Sequence, residues 1–269
     1  MGRIAQTFKR LRWEKEAALI PYLTVGYPSL EVTRQLVPVM ARQGADLIEL
    51  GVPFSDPIAD GATIQRASHA ALENGVTLGD CLSVAAEARR ANEVPLVLMS
   101  YYNPIHKYGI ERFAADCEAS GVDGVIVPDL PPEEAGELKV ACGDNGVDLI
   151  FLVAPTSTDE RLRRVAEMAS GFIYCVSVAG VTGARAEVSE EVADLVARVR
   201  EHTGLPLVVG FGLSTPEHVA KVSQIAEGAV VASAMINLIE RLDAEEMVGG
   251  VAEFVRELKE ATGKLETRS

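Results

Sequence analysis

Eight short runs rich in apolar and β-branched residues recur along the whole chain: ALIPYLTVG (18–26), LIELGVPF (47–54), PLVLMSYYN (95–103), GVIVPDL (124–130), DLIFLVAP (148–155), FIYCVSVAG (172–180), PLVVGFGL (206–213) and GAVVASA (228–234). Most are apolar without a break rather than alternating. Strands of a parallel sheet need that pattern, because helices cover both of its faces. Folds that pack sheet on sheet fit it poorly.

Segments with apolar residues at helical spacing lie between the runs, such as Val32, Leu36, Val39 and Met40, or Leu162, Val165, Ala166 and Met168. Their starts carry capping residues: Ser29 before Leu30 and Glu31, Thr158 before Asp159 and Glu160, and Thr215 before Pro216. Gly44, Gly121, Gly146 and Gly171 mark their ends a few residues before the next strand. A βα unit repeated eight times with right-handed crossovers closes most economically into a (β/α)8 TIM barrel; a doubly wound sheet is the alternative. The interval between the second and third runs is longer than the others and holds helical material around ADGATIQRASHAALENGV, which predicts an inserted helix after strand two. Ile4, Phe8 and Leu11 share one helical face ahead of the first run, so an N-terminal helix packed on the barrel is expected. No Pro/Gly/Ser-rich linker divides the chain, and 1–269 reads as a single domain.

Lys and Arg total 25 against 39 Asp and Glu, a formal net charge of −14, which argues against nucleic acid or an anionic membrane surface as partner. No run approaches the roughly 20 residues of a membrane span, and the first residues lack the apolar core of a secretory signal, so the expected location is the cytoplasm. Cys81, Cys117, Cys142 and Cys175 form no CxxC pair and read as reduced thiols. His69, His106, His202 and His218 show no ligand spacing, so no metal held by the protein is expected.

A barrel of this kind builds its active site at the carboxyl ends of its strands. Glu49 stands inside an apolar run, where burial would raise its pKa toward the working pH and suit it to acid/base chemistry. A structural carboxylate paired with a neighbouring donor is the other reading, and position alone leaves both open. Asp60 follows in PFSDPIADG, where it could accept a substrate N–H or cap the helix beginning near Ala62. The last three strand ends, AGVTG (179–183), GFGLST (210–215) and VASAM (231–235), carry small residues leading into helix starts, which suits a phosphate handle. Tyr22, Met99, Tyr101, Tyr174 and Phe211, at strand ends, could hold a flat apolar group or fill the barrel core.

These residues bring a family into view. LIELGVPFSDPIADGATIQRA (47–67) resembles the signature of the tryptophan synthase α subunit, and PYLTVGYP (21–28), SYYNPI (100–105), GVDGVIVPDLPPEE (121–134), FLVAPTST (151–158), YCVSVAGVTGAR (174–185) and VVGFGLSTPEHV (208–219) agree with it in order. The resemblance implies retro-aldol cleavage of indole-3-glycerol phosphate to indole and glyceraldehyde 3-phosphate. It implies no cofactor in this subunit, with indole passed to a β subunit that carries pyridoxal phosphate, in an α2β2 heterotetramer. By the same resemblance Glu49 is the acid/base at indole C3 and Asp60 binds the indole N–H. Tyr22, Met99, Tyr101, Tyr174 and Phe211 would line the indole pocket with Thr182 closing above, and Gly183, Gly212 and Ser233 would bind phosphate. The chain departs from the family's usual Gly-Ser-Ala at Ala232-Ser233-Ala234, and carries Val178 where some members have arginine. The loops bearing Asp60 and Gly183 are the expected lids and the expected route to the β subunit. Two other functions stay in play: a phosphate-handling barrel that uses a lysine imine or a carboxylate-driven isomerisation, and a non-catalytic activating subunit. No lysine lies in the eight runs, which disfavours the imine, and the presence of both carboxylates disfavours the last.

Overall fold

The computed structural model describes residues 1–176, 190–210 and 212–263. Eight parallel strands, β1 (Ala18–Thr24), β2 (Ile48–Gly51), β3 (Leu96–Met99), β4 (Gly124–Ile126), β5 (Asp148–Val153), β6 (Ile173–Val176), β7 (Leu207–Gly210) and β8 (Gly228–Val231), close in sequence order into a barrel. Closure is completed by β1 pairing with β8, with Ala18 opposite Gly228 and Pro21 opposite Val231. The doubly wound alternative is thereby removed.

The helices are α1 (Arg3–Glu14), α2 (Leu30–Arg42), α3 (Ala62–Glu73), α4 (Leu78–Ala91), α5 (Tyr102–Tyr108), α6 (Ile110–Ala119), α7 (Gly136–Asp144), α8 (Asp159–Met168), α9 (Glu190–Arg200), α10 (Pro216–Ile225), α11 (Ser233–Arg241) and α12 (Ala244–Glu260). The expected caps form: Ser29, Thr158 and Thr215 each accept a backbone N–H from the first turn of the following helix. Two helices lie between β2 and β3, and the first of them, α3, is the expected insertion.

The strands are shorter than their apolar runs. The run 95–103 leaves the barrel at Met99 and becomes helix at Tyr102, whose N–H donates to Asp129 Oδ1 (2.9 Å). Asp129, from the loop after β4, thus caps a helix that no nearby residue caps.

Alternation along each strand separates two cores. Outward residues such as Leu19, Ile48, Leu98, Ile173 and Val209 join the helices in one large cluster. Inward residues, among them Ile20, Leu47, Val97, Ile150 and Val208, form a second cluster that Ile4, Phe8 and Leu11 of α1 close at the strands' amino ends. Those three side chains are 0%, 4% and 1% exposed, and burial of each is worth about 1.5–3 kcal/mol. The α1 face read from the sequence is therefore the plug of the barrel floor. All four cysteines are buried free thiols; Cys175 points into the outer core, where burial pushes its thiol up to about 12. Among the described residues no helix is long and apolar enough to cross a membrane, and no group of three or more His, Cys, Asp or Glu is placed to hold a metal ion.

Candidate active site at the carboxyl end of the barrel

Glu49 lies on β2 between the outward residues Ile48 and Leu50, so its side chain points into the barrel, opposite Tyr22 of β1 and Val97 of β3. It is 2% exposed. Burial, reinforced by the nearby charge of Asp60, raises its pKa to about 8. No described residue offers the carboxyl an ion-pair or hydrogen-bond partner that would draw it back down, so the paired structural carboxylate has no support among the described residues.

Asp60 ends the loop that follows β2. It does not cap α3, whose N-cap is Gly61 with no side-chain bond. Its carboxylate instead accepts the Tyr101 hydroxyl at 3.1 Å. Burial lifts its pKa to about 6, against the pull of that hydrogen bond. Tyr101 holds the loop at two further points: its hydroxyl accepts the Ala59 N–H at 2.9 Å, and its ring stacks on Phe54 with centroids 5.0 Å apart.

Tyr22 and Tyr174 complete the mouth. Both side chains are buried and their phenols are held well above their ordinary pKa, chiefly by desolvation, with the charges of Glu49 and Asp60 adding to it. Tyr22 shares a 3.2 Å hydrogen bond with buried Thr24. Each ring lies across a neighbouring strand at a glycine: a Cβ on Gly51 would collide with the Tyr22 hydroxyl, and one on Gly210 with that of Tyr174. Met99 is half-buried at the end of β3 and packs against both the inner core and the small cluster of Tyr22, Ile64, Ala67 and Ile236.

The family model described as "Tryptophan synthase alpha chain" matches residues 8–263. The chain belongs to the tryptophan synthase alpha chain family. The tryptophan synthase alpha chain of Roseiflexus castenholzii is 56% identical over 260 residues, covering 96% of this chain and all of that one. The one from Chloroflexus aggregans is 52% identical over 266 residues, 98% of this chain and all of that one. Among solved structures, tryptophan synthase subunit alpha from Legionella pneumophila superposes with a TM-score of 0.90 at 36% identity, covering 97% and 98% of the two chains. A chain of tryptophan synthase from M. tuberculosis gives 0.90 at 35% identity over 98% of this chain and all of that one.

The residues expected from the tryptophan synthase α-subunit resemblance fall into three groups. Glu49, Asp60, Tyr22, Tyr101, Tyr174 and Met99 gather at one end of the barrel. Gly212, with φ of +70°, and Ser233, the first residue of α11, both lie exposed two positions beyond the paired strand ends Gly210 and Val231. Thr182, Gly183 and Phe211 lie outside the described residues, as does Val178. Sequence reading missed Gly51 and Gly210, whose role depends on strand register, and it missed Ser68. The last had a signal: Ser68 occupies a core position of α3 with Ile64, Ala67 and Ala71, and a buried hydroxyl on an apolar face must find a partner.

Proposed function

We propose that this chain cleaves indole-3-glycerol phosphate to indole and glyceraldehyde 3-phosphate in the cytoplasm, and passes indole to a β subunit carrying pyridoxal phosphate within an α2β2 assembly. The supporting observation is a pair of carboxyl groups at one barrel mouth whose environments hold them apart, Glu49 near 8 and Asp60 near 6. At pH 7 Glu49 carries its proton and Asp60 is ionised. Glu49 gives that proton to indole C3. Asp60 accepts the indole N–H and steadies the positive charge that grows on the ring. The bond from C3 to the glycerol chain then breaks, and its electrons return to the ring as indole re-forms. The adjacent glycerol hydroxyl surrenders its proton to the Glu49 carboxylate, which leaves an aldehyde and restores the acid. Protonated substrate is itself the electron sink, so the step needs no cofactor in this subunit.

Tyr22, Met99, Tyr101, Tyr174 and Phe211 form the walls against the indole ring, and Thr182 closes over it. Backbone N–H groups at Gly183, Gly212 and Ser233 hold the phosphate, the last at the head of α11 where the helix dipole favours an anion. Ala232 keeps the N–H that glycine supplies in relatives, so phosphate binding survives that departure.

The test is indole release from indole-3-glycerol phosphate by the purified chain, alone and with a β subunit. Release that rises on adding β supports both activity and partnership. A folded chain that releases none in either condition overturns the reading.

A further inference from the structure

The loop that carries Asp60 is built onto α3. Phe54 N–H donates to Ser68 Oγ at 2.8 Å, the Ser68 hydroxyl donates to Phe54 O at 3.1 Å, and Gln65 Nε2 reaches Asp60 O at 2.9 Å. Where α3 sits, Asp60 sits. Besides the loop, β1 and the outer core that takes in Ala71, α3 rests on α11, the helix whose first residue is Ser233. Thr63 Oγ1 donates to Asn237 Oδ1 at 3.3 Å, and Arg66 pairs with Glu240 at 3.3 Å. Beneath them Tyr22, Ile64, Ala67 and Ile236 make a small apolar core separate from the two large ones, with Ala232 packed against it. Ala232 and Ile236 are one helical turn apart, and the Ile236 N–H closes that turn on Ala232 O at 3.1 Å. The turn that meets phosphate in the reading above is therefore the turn against which α3 is seated.

We propose that α3 is a positioning element that carries phosphate occupancy at the head of α11 to Asp60, with the Thr63–Asn237 hydrogen bond as its register pin. The proposal rests on the cleavage reading and adds to it a reason for the phosphate beyond grip. Phosphate fixes the first turn of α11, α11 fixes α3, and α3 sets the Asp60 carboxylate against the indole N–H. Thr63 and Asn237 touch neither substrate nor reacting atoms. Remote binding energy is thereby spent on orientation at the reacting centre.

The test compares the intact substrate with indole-3-glycerol, which lacks the phosphate, the latter with and without inorganic phosphate. Wild-type turnover of indole-3-glycerol should rise when inorganic phosphate is added. Thr63→Val should lower kcat on the phosphorylated substrate about tenfold with KM little changed, and should weaken the acceleration by inorganic phosphate to the same extent. Unaccelerated turnover of indole-3-glycerol should stay at the wild-type level. Thr63→Ser, which keeps the donor, should behave as wild type; Asn237→Leu should repeat Thr63→Val and serves if that variant folds poorly. Equal losses on both substrates would mark a merely structural contact and overturn the proposal, as would a wild-type chain indifferent to added phosphate. A wild-type chain inactive on the phosphorylated substrate sinks the cleavage reading itself, which is a different and visible failure.

Discussion

Glu49 is a buried carboxyl and Asp60 a half-buried one, and only Glu49 keeps its proton at neutral pH. Glu49 has desolvation and a neighbouring negative charge acting in the same direction, whereas Asp60 has the Tyr101 hydroxyl acting against desolvation. Cleavage needs Asp60 ionised and Glu49 protonated, so kcat/KM should follow a bell with limbs near 6 and 8; a flat profile from 5 to 9 would contradict the assignment. Tyr101→Phe removes the bond that lowers Asp60, so the acidic limb should move to higher pH while kcat/KM falls by roughly 10–100-fold. Glu49→Gln should cost about 10²–10⁴ in turnover with little change of volume, and Asp60→Asn should lose most activity. The same glutamate shapes stability. Its folded pKa lies above the unfolded one, so the folded protein holds the extra proton between about 4.5 and 8, and stability from this group falls as pH rises through that window. Glu49→Gln should therefore match wild type in melting temperature near pH 4 and exceed it by pH 9. An advantage largest at pH 4 would show that the burial cost has been misassigned.

At the scale of elements, what was written in the sequence depended on how local its cause is. Parallel strands are apolar on both faces, so all eight showed as runs that are mostly apolar, and Glu49 showed because it interrupts one. The ends of the runs misled because the same apolar character continues into residues that line the mouth. Tyr101 is the N-cap of α5 rather than a strand residue, and the carboxylate that starts α5 comes from Asp129 in another loop. Gly51 and Gly210 could be read only as turn glycines, since the tyrosines that cross them sit on neighbouring strands and on a register no single run contains. Gly51→Ala and Gly210→Ala should each destabilise by about 1–3 kcal/mol and lower activity by displacing Tyr22 or Tyr174 from the mouth. Denaturant unfolding beside a cleavage assay checks both effects; a stable, fully active variant at either position would mean the ring moves aside without consequence.

The whole barrel is held at the end opposite the site by a pattern that alternates around it. The first or second residue of every odd strand is a leucine whose N–H donates to a side chain just ahead of the next even strand. Leu19 reaches Asp46, Leu96 reaches Asp123, Leu149 reaches Ser170 and Leu207 reaches Glu227, at 3.0, 2.9, 2.9 and 3.0 Å. Four side chains thus close the ladder where the strand ends would leave donors unpaired. Three of the four are carboxylates that also bind cations from elsewhere in the chain. Asp46 takes Arg10 of the plug helix and Lys259 of α12, Asp123 takes Arg3 and Arg89, and Glu227 takes Arg200. The plug and the last helix are in this way fastened to the same ring as the strands, far from the chemistry. Removal of a ring member strands its partners in proportion to their burial, and this orders the variants. Ser170→Ala leaves one N–H unpaired and should cost about 1–2 kcal/mol. Asp46→Ala leaves the Leu19 N–H unpaired and takes one of two carboxylates from Arg10, which keeps Glu14, and from Lys259, which keeps Glu16, so it should cost more, about 2–3 kcal/mol. Asp46→Asn keeps an acceptor for Leu19 and should fall between them. None of the three should move kcat for cleavage, because the site hangs on the other ends of the strands. The order in urea midpoints checks the ring; a loss of kcat in a stably folded Asp46→Ala would show instead that the floor of the barrel reaches its mouth.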